Sequence, residues 1–390
     1  MAEILKLSIL ILKGNKLIEY LIYSINYYTM RTTIVTMFYN IRKHEASFAE
    51  TNRQPSKYLE LAEAFILRLP YPIIFFVDDD DTETQNFVSK VREREGLQHL
   101  THLYKIKLKK THFYKDLKTI QLLQKTFVIK NLNIAHETPT YVVLNNNKFD
   151  FIEKAIELNP FESSHFMWMD FGINHVAKNP EEIHTWFQQV PDKIKQLCIN
   201  PYIENVVPKE HFQFIYHNTA GGLFSGSIAN LIQYAKLFKQ KTEQIYKEEW
   251  YQLDEAVMTM VQRENPDLFD FFYGDYEGII SNYLIPNHSW WLISSGMRKC
   301  LNLNNTKFLY QILKYLESYF FLSQNQTRPE FYEYLNNSII CDYYQNNHEL
   351  RNTTIQFINE ALERNDCNIK NLLEQNTNNL AFYSNKDLIC

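Results

Sequence analysis

One segment constrains the fold more than any other: His165-Phe166-Met167-Trp168-Met169-Asp170-Phe171-Gly172. Phe166 to Met169 are consecutive apolar residues, so they cannot alternate between a wet face and a dry one. Such a run reads as a strand buried on both sides of a sheet, the habit of parallel α/β structures. Asp170 then falls at the carboxyl end of the strand, where open α/β sheets place their ligands. A carboxylate there can hold a divalent cation, and the cation can hold a diphosphate. Gly172 permits close backbone approach beside it.

The rest of the chain supports a mostly parallel α/β sheet flanked by helices, because strand and helix patterns alternate. Thr32 to Phe38 is a β-branched first strand that runs into a polar loop at Asn40, Arg42 and Lys43. Pro55-Ser56 starts a helix with Ser56 as its cap, and Pro70 stops it. Ile73 to Val77 is the second strand, Thr84 to Arg94 a polar helix closed by Gly96, and Thr101 to Leu108 a third strand. Tyr114 to Lys130 reads as helical, Tyr141 to Leu144 as short and extended, and Lys148 to Leu158 as a helix. After Asp170, His211 to Tyr216 alternates like a strand, and a glycine loop, Gly221 to Ser227, leads into a helix from Ile228 to Lys247. A further helix carries Trp250, Asp254, Glu255, Val257 and Met258, and Leu268 to Tyr273 is a last strand before Ile285-Pro286. Three parts are expected: an extension over 1–30, a compact domain over 31–299, and a polar helical appendage over 300–390.

Composition excludes some functions. A net charge of −5 gives no general affinity for nucleic acid, and the cluster Lys105, Lys107, Lys109, Lys110 reads as a solvated strand end. Five scattered cysteines without CxxC spacing read as free thiols of a reducing compartment, hence a cytoplasmic location. The apolar stretch Ile4 to Leu12 is broken by Lys6 and is too short to span a bilayer, which leaves peripheral membrane association as the alternative.

Each candidate site has a plainer reading beside it. Asp170 either ligates a cation or pairs with a buried base. The Gly221 to Ser227 segment is either an anion cradle at a helix start or an ordinary turn. Asp254 and Glu255 are adjacent on a helix and about 100° apart, so at most one is expected to face a site. His288 is either a metal ligand or a packing histidine. A rival lies at Ile73 to Thr82, where Asp78, Asp80 and Thr82 fit the pattern hhhhDxDxT. It resembles the first motif of haloacid-dehalogenase-type phosphatases, but the later acidic pair is missing: Gly274-Asp275 is followed by Ile279 where the last acid belongs. The plainer reading is an acidic loop that caps the next helix.

Together these pieces resemble the HtrL/YibB (WlaX-type) family of proposed glycosyltransferases. The resemblance rests on Thr33 to Phe38, Pro139-Thr140-Tyr141 with Asn145 to Phe149, His165 to Gly172, the Gly221 to Ser227 segment, and Trp250 with Asp254-Glu255. It implies a GT-A-like (Rossmann-like) fold and metal-assisted transfer of a sugar from a nucleotide-diphosphate sugar to a hydroxyl of a glycan or glycoconjugate. It further implies a donor site from Met37, Phe38, Asn40, Arg42, Asn147, Lys148, Trp168, Gly221 and Gly222. Asp170 and His288 would hold Mn²⁺ or Mg²⁺, and Asp254 or Glu255 would orient and deprotonate the acceptor. Trp168-Met169-Asp170 keeps only one of the two acids usual in a DxD motif. That departure leaves open a non-catalytic carbohydrate- or nucleotide-binding protein.

Overall fold

A computed structural model of the chain describes residues 32–45, 54–133, 137–199, 207–273 and 276–284. The expected extension over 1–30, the appendage over 300–390, His288, Ile285-Pro286 and Gly274-Asp275 lie outside the described residues.

Among the described residues, seven strands form one mixed sheet in the order β3-β2-β1-β4-β6-β5-β7. They are β1 (Thr32–Phe38), β2 (Ile73–Val77), β3 (Thr101–Lys105), β4 (His165–Met169), β5 (Ile194–Cys198), β6 (Thr219–Ser227) and β7 (Phe269–Tyr273). β1 to β4 run parallel, as do β5 and β7, while β6 runs antiparallel to both of its neighbours. The chain is therefore α/β with a mostly parallel sheet, as its sequence implied.

Helices cover both faces. On one side lie α3 (Leu117–Thr126), α4 (Pro139–Leu158), α5 (Ile228–Lys247) and α6 (Asp254–Glu264), packed on Val35, Ile74, Phe76, Phe166, Trp168 and Phe224. On the other lie α1 (Pro55–Ala64) and α2 (Thr82–Arg94), with Trp186, Phe187 and Ile279 to Tyr283, over Ile34, Ile73, Phe75, Met167 and Met169. Consecutive residues of β2 and β4 thus serve opposite cores, which is why those strands carry no polar positions beyond His165.

Several local readings need correction. Tyr141 to Leu144 is not extended but belongs to the 20-residue helix α4. The Thr138 side chain accepts from the Tyr141 N–H and Pro139 sits in the first turn, and this start outweighs the β-branched Val142-Val143 pair. His211 to Tyr216 is not a strand: Pro208 opens a short helix, Pro208–Phe212, through the first half of it. The glycine segment is not a loop but the buried strand β6 itself. Ser56 is not the cap of α1, since Gln54 holds that position and Pro55 starts the first turn. The third strand stops at Lys105.

Candidate active site

The parallel strands β1, β2, β3 and β4 end at one edge of the sheet. Because β6 is reversed, pairing Leu223 with Met169, its leading residues Thr219 to Gly222 come to that same edge. The Asp170 N–H donates to the Gly222 carbonyl at 2.8 Å, so β4 and β6 are stitched together one residue past the last strand pair. Functional side chains gather around this joint.

Lys148 is their centre. It is the tenth residue of α4, and its side chain is 4% exposed. Its Nζ stands 2.9 Å from Asp254 Oδ2 and 3.4 Å from Asp170 Oδ1, and it donates to the Gly221 carbonyl at 3.0 Å. It also lies 6.0 Å above the Trp168 ring. Burial alone would lower the ammonium, but Asp170 and Asp254 outweigh it and hold the group raised and charged.

The acids have unequal settings. Asp170 is 39% exposed, and its Oδ1 accepts the Trp168 Nε1–H at 2.8 Å. Asp254 is 5% exposed, and burial raises its carboxyl against the pull of Lys148. Glu255 accepts the Gly221 N–H on Oε1 at 2.9 Å and meets His217 Nδ1 through Oε2 at 3.3 Å. Burial would raise Glu255, yet His217, the Gly221 N–H and Lys148 hold it below the usual carboxylate range. Both acids occupy the first turn of α6, where the helix dipole favours negative charge. The expectation that only one would face the site is corrected: both close on Gly221.

The glycines are required for this closeness. A Cβ on Gly221 would stand 2.8 Å from Asp254 Oδ2 and 3.3 Å from Lys148 Nζ. One on Gly222 would meet Tyr276 Oη at 3.3 Å and Asp170 Oδ2 at 3.4 Å. Neither residue is an anion-cradling turn. Their service is to let charged side chains touch the main chain.

A family model described as a bacterial protein of unknown function, HtrL_YibB, matches residues 30–282. The chain belongs to the HtrL_YibB family. Protein HtrL of Escherichia coli (strain K12) is 24% identical over 145 residues, 36% of this chain and 51% of that protein. The chain thus spans about half the length of the curated relative it matches. Among solved structures it is similar to mouse xyloside xylosyltransferase 1 in its apo form, at 10% identity and a TM-score of 0.36, covering 66% of this chain and 95% of that one.

Of the residues expected at the site in this HtrL_YibB chain, Lys148, Trp168, Asp170, Gly221, Gly222, Asp254 and Glu255 come together. Others do different work. Phe38 packs against Tyr58 and Phe171 in the core, and Met37 is half-buried against the opposite one. Asn147 is fully buried and accepts the Phe113 N–H. Asn40 and Arg42 do stand at the edge, just past β1, where the Asn40 side chain accepts the Arg42 N–H. Asp78 pairs with His44 Nε2 at 3.1 Å, and Asp80 reaches out to Lys107. Asp81 caps α2 through the Thr84 N–H, so the acidic run is the capping loop of the plainer reading.

Three site residues had not been singled out. Tyr141 stands half-buried in the fields of Lys148, Asp254, Tyr58 and Asp170, and desolvation raises its hydroxyl. It lies seven residues, two helical turns, before Lys148, a spacing that would have exposed it had the segment been read as helix. Tyr276 touches the Gly222 side of the site. His217 carries no motif at all.

Among the described residues, no three His, Cys, Asp or Glu side chains form a group able to hold a metal ion. None of the described helices is long and apolar enough to cross a membrane.

Proposed function

We propose that this protein is a glycosyltransferase that moves a sugar from a nucleotide-diphosphate sugar to a hydroxyl of a glycan or glycoconjugate. One observation carries the reading. Three separate elements (α4, the end of β4 and the first turn of α6) deliver Lys148, Asp170, Asp254 and Glu255 to the Gly221 backbone of β6, at the carboxyl edge of a mostly parallel sheet. That edge is where such sheets take nucleotides.

The charge of the cluster fits a cation brought in with the donor. Asp170, Asp254 and Glu255 face a single ammonium, so a bare diphosphate would meet net negative charge. Asp170 is the part-exposed acid, and Trp168 and Lys148 both address its Oδ1. Mg²⁺ or Mn²⁺ is commonly held by one or two carboxylates and completed by substrate phosphates, a set that needs no three-residue cage. Asp170 is the residue to hold it, and when bound the ion supplies Lewis-acid stabilisation of the departing diphosphate.

The chain's own groups do the rest. Lys148 fixes Asp254 and Asp170 across the Gly221 carbonyl, so the acids are placed before substrate arrives. Gly221 and Gly222 give these charged side chains room to close on the main chain. Asn40 and Arg42, past the end of β1, stand on the edge where the nucleotide would lie.

The test is thermal unfolding against UDP, GDP and dTDP and their sugars, each with and without Mn²⁺. A ligand at about 100 times its Kd adds roughly 2.7 kcal/mol, a shift of several degrees for a domain of this size. A shift with one nucleotide family, larger with Mn²⁺, is the expected result. Absence of any shift across the panel would overturn the reading.

A further inference from the structure

Tyrosines in and around the two cores find hydroxyl partners inside the fold. Tyr39 donates to the Ile106 carbonyl, Tyr71 meets His184 Nδ1, and Tyr234 donates to Gln196. Tyr246 accepts from Asn146, and Tyr283 meets Ser225. This is the common lot of a tyrosine taken out of water, because its ring is apolar and its hydroxyl is not. Tyr276 departs from it. Its ring packs on the core that holds Phe171, Ala220, Leu223 and Ile279, yet its hydroxyl has no hydrogen-bond partner among the described residues.

The fold fixes where that hydroxyl stands. β5 and β7 end at the same edge as β4, because β6 runs against both of its neighbours. Tyr276 follows β7 by three residues and opens a tight turn, Tyr276–Gly278. The Lys178 N–H donates to the Glu277 carbonyl at 2.8 Å, and the two side chains pair as well. Beyond the turn, Ile279, Ile280 and Tyr283 are fully buried, and the Trp186 Nε1–H donates to the Ile280 carbonyl at 3.0 Å. So anchored, Tyr276 Oη lies 3.3 Å from where a Gly222 Cβ would be, and Asp170 Oδ2 lies 3.4 Å from the same point. Asp170 turns its other oxygen, Oδ1, to Trp168 and Lys148. Gly222 is thus flanked by an anionic oxygen and a neutral donor. Burial raises the Tyr276 hydroxyl well above the usual tyrosine range, and Glu255, Asp170, Tyr141 and Asp254 raise it further. It keeps its proton at any working pH, and towards an anion it donates.

We propose that Tyr276 is a binding residue of the donor site, its hydroxyl donating a hydrogen bond to an oxygen of the diphosphate. This rests on the nucleotide-sugar reading above and gives the site a donor that its charged groups do not supply. The Lys148 ammonium is already enclosed by Asp170, Asp254 and the Gly221 carbonyl. A diphosphate that arrives with a cation keeps oxygens the cation does not hold, and a neutral hydroxyl satisfies one of them without adding charge. Loss of that hydroxyl leaves no internal group unpaired, so the ligand-free protein should not register it.

The experiment uses the full chain and compares wild type, Tyr276→Phe and Tyr283→Phe. UDP, GDP and dTDP and their sugars are titrated calorimetrically in Mn²⁺, and thermal unfolding gives the ligand-free midpoint. Tyr276→Phe should keep the wild-type midpoint but bind the nucleotide roughly 10- to 100-fold more weakly, the worth of a hydrogen bond to a charged group. The loss should be the same for the nucleotide and for its sugar, since both carry the diphosphate. Tyr283→Phe should do the reverse: its midpoint falls by about 2–4 °C with the Ser225 bond, and its affinity is unchanged. Equal affinity in Tyr276→Phe and wild type, a loss confined to the sugar form, or a Tyr276→Phe midpoint that falls like that of Tyr283→Phe would each overturn this inference and leave the donor reading standing. Failure of every nucleotide to bind wild type would overturn both.

Discussion

β2 and β4 are near twins in sequence and opposite in fate. Each is a fully buried five-residue strand, each ends at the same edge of the sheet, and each is followed at once by aspartate. After β2 come four acids in a row, Asp78 to Asp81, yet three of them are engaged in local tasks: Asp78 with His44, Asp80 with Lys107, and Asp81 with Lys43 and the cap of α2. After β4 comes one, Asp170, and it is met by Trp168, by Lys148 from α4 and by the Gly222 backbone of β6. The number of acids did not decide the matter. What decided it was which distant elements fold onto the strand end, and the reversed strand β6 reaches only the second.

The contrast is sharpest at Lys148. Lys148→Met leaves Asp254 buried without its counter-charge and should cost about 3–5 kcal/mol, a fall of roughly 10 °C in the unfolding midpoint. A loss under about 1 kcal/mol by urea titration would mean the two strand ends are energetically alike. Next comes Asp170→Ala, which should fold normally but forfeit the ligand-induced stabilisation, about 2.7 kcal/mol at 100 times Kd. Asp80→Ala, under the same assay, should retain it, since that side chain is 73% exposed. Gly221→Ala brings a methyl group to 2.8 Å from Asp254 Oδ2 and should destabilise by about 1–3 kcal/mol. Gly222→Ala, with no neighbour nearer than 3.3 Å, should cost less, and reversal of that order would show that the close approach is not at Gly221. The smallest effects belong to the loop after β2: about 1 kcal/mol for Asp81→Ala through the lost cap, and no measurable change for the exposed Asp80→Ala.

Much of this was legible in the chain. The limits of β1, β2 and α5 follow directly from their residues, because a doubly buried apolar run or a long periodic stripe leaves little choice. The place of Asp170 at the end of its strand was legible for the same reason: an acid directly after such a run has only the sheet edge to occupy. Tyr141 to Leu144 misled because β-branched side chains also fit a helix buried on most sides, and capping at Thr138 is a weak signal on paper. The glycines of β6 misled because their function is tertiary. A glycine that makes room for Asp254, 33 positions later in the chain, looks locally like any turn glycine. The division of labour between Asp254 and Glu255 was beyond reach for a related reason. It depends on Lys148 and His217, whose nearness is set by docking α4 and the segment before β6 against α6.

The hydrogen bond from Lys148 to the Gly221 carbonyl spans 73 residues, and its consequence is one of timing. Contacts of such sequence separation pay their loop-closure entropy late in folding. The ammonium finds its carboxylates only after α4, β4, β6 and α6 have all docked. Partly folded chains that lack any one of these dockings do not bring the site together. The buried Lys148 cluster therefore marks finished molecules, and the same lysine that would prepare the chemistry also certifies that assembly is complete.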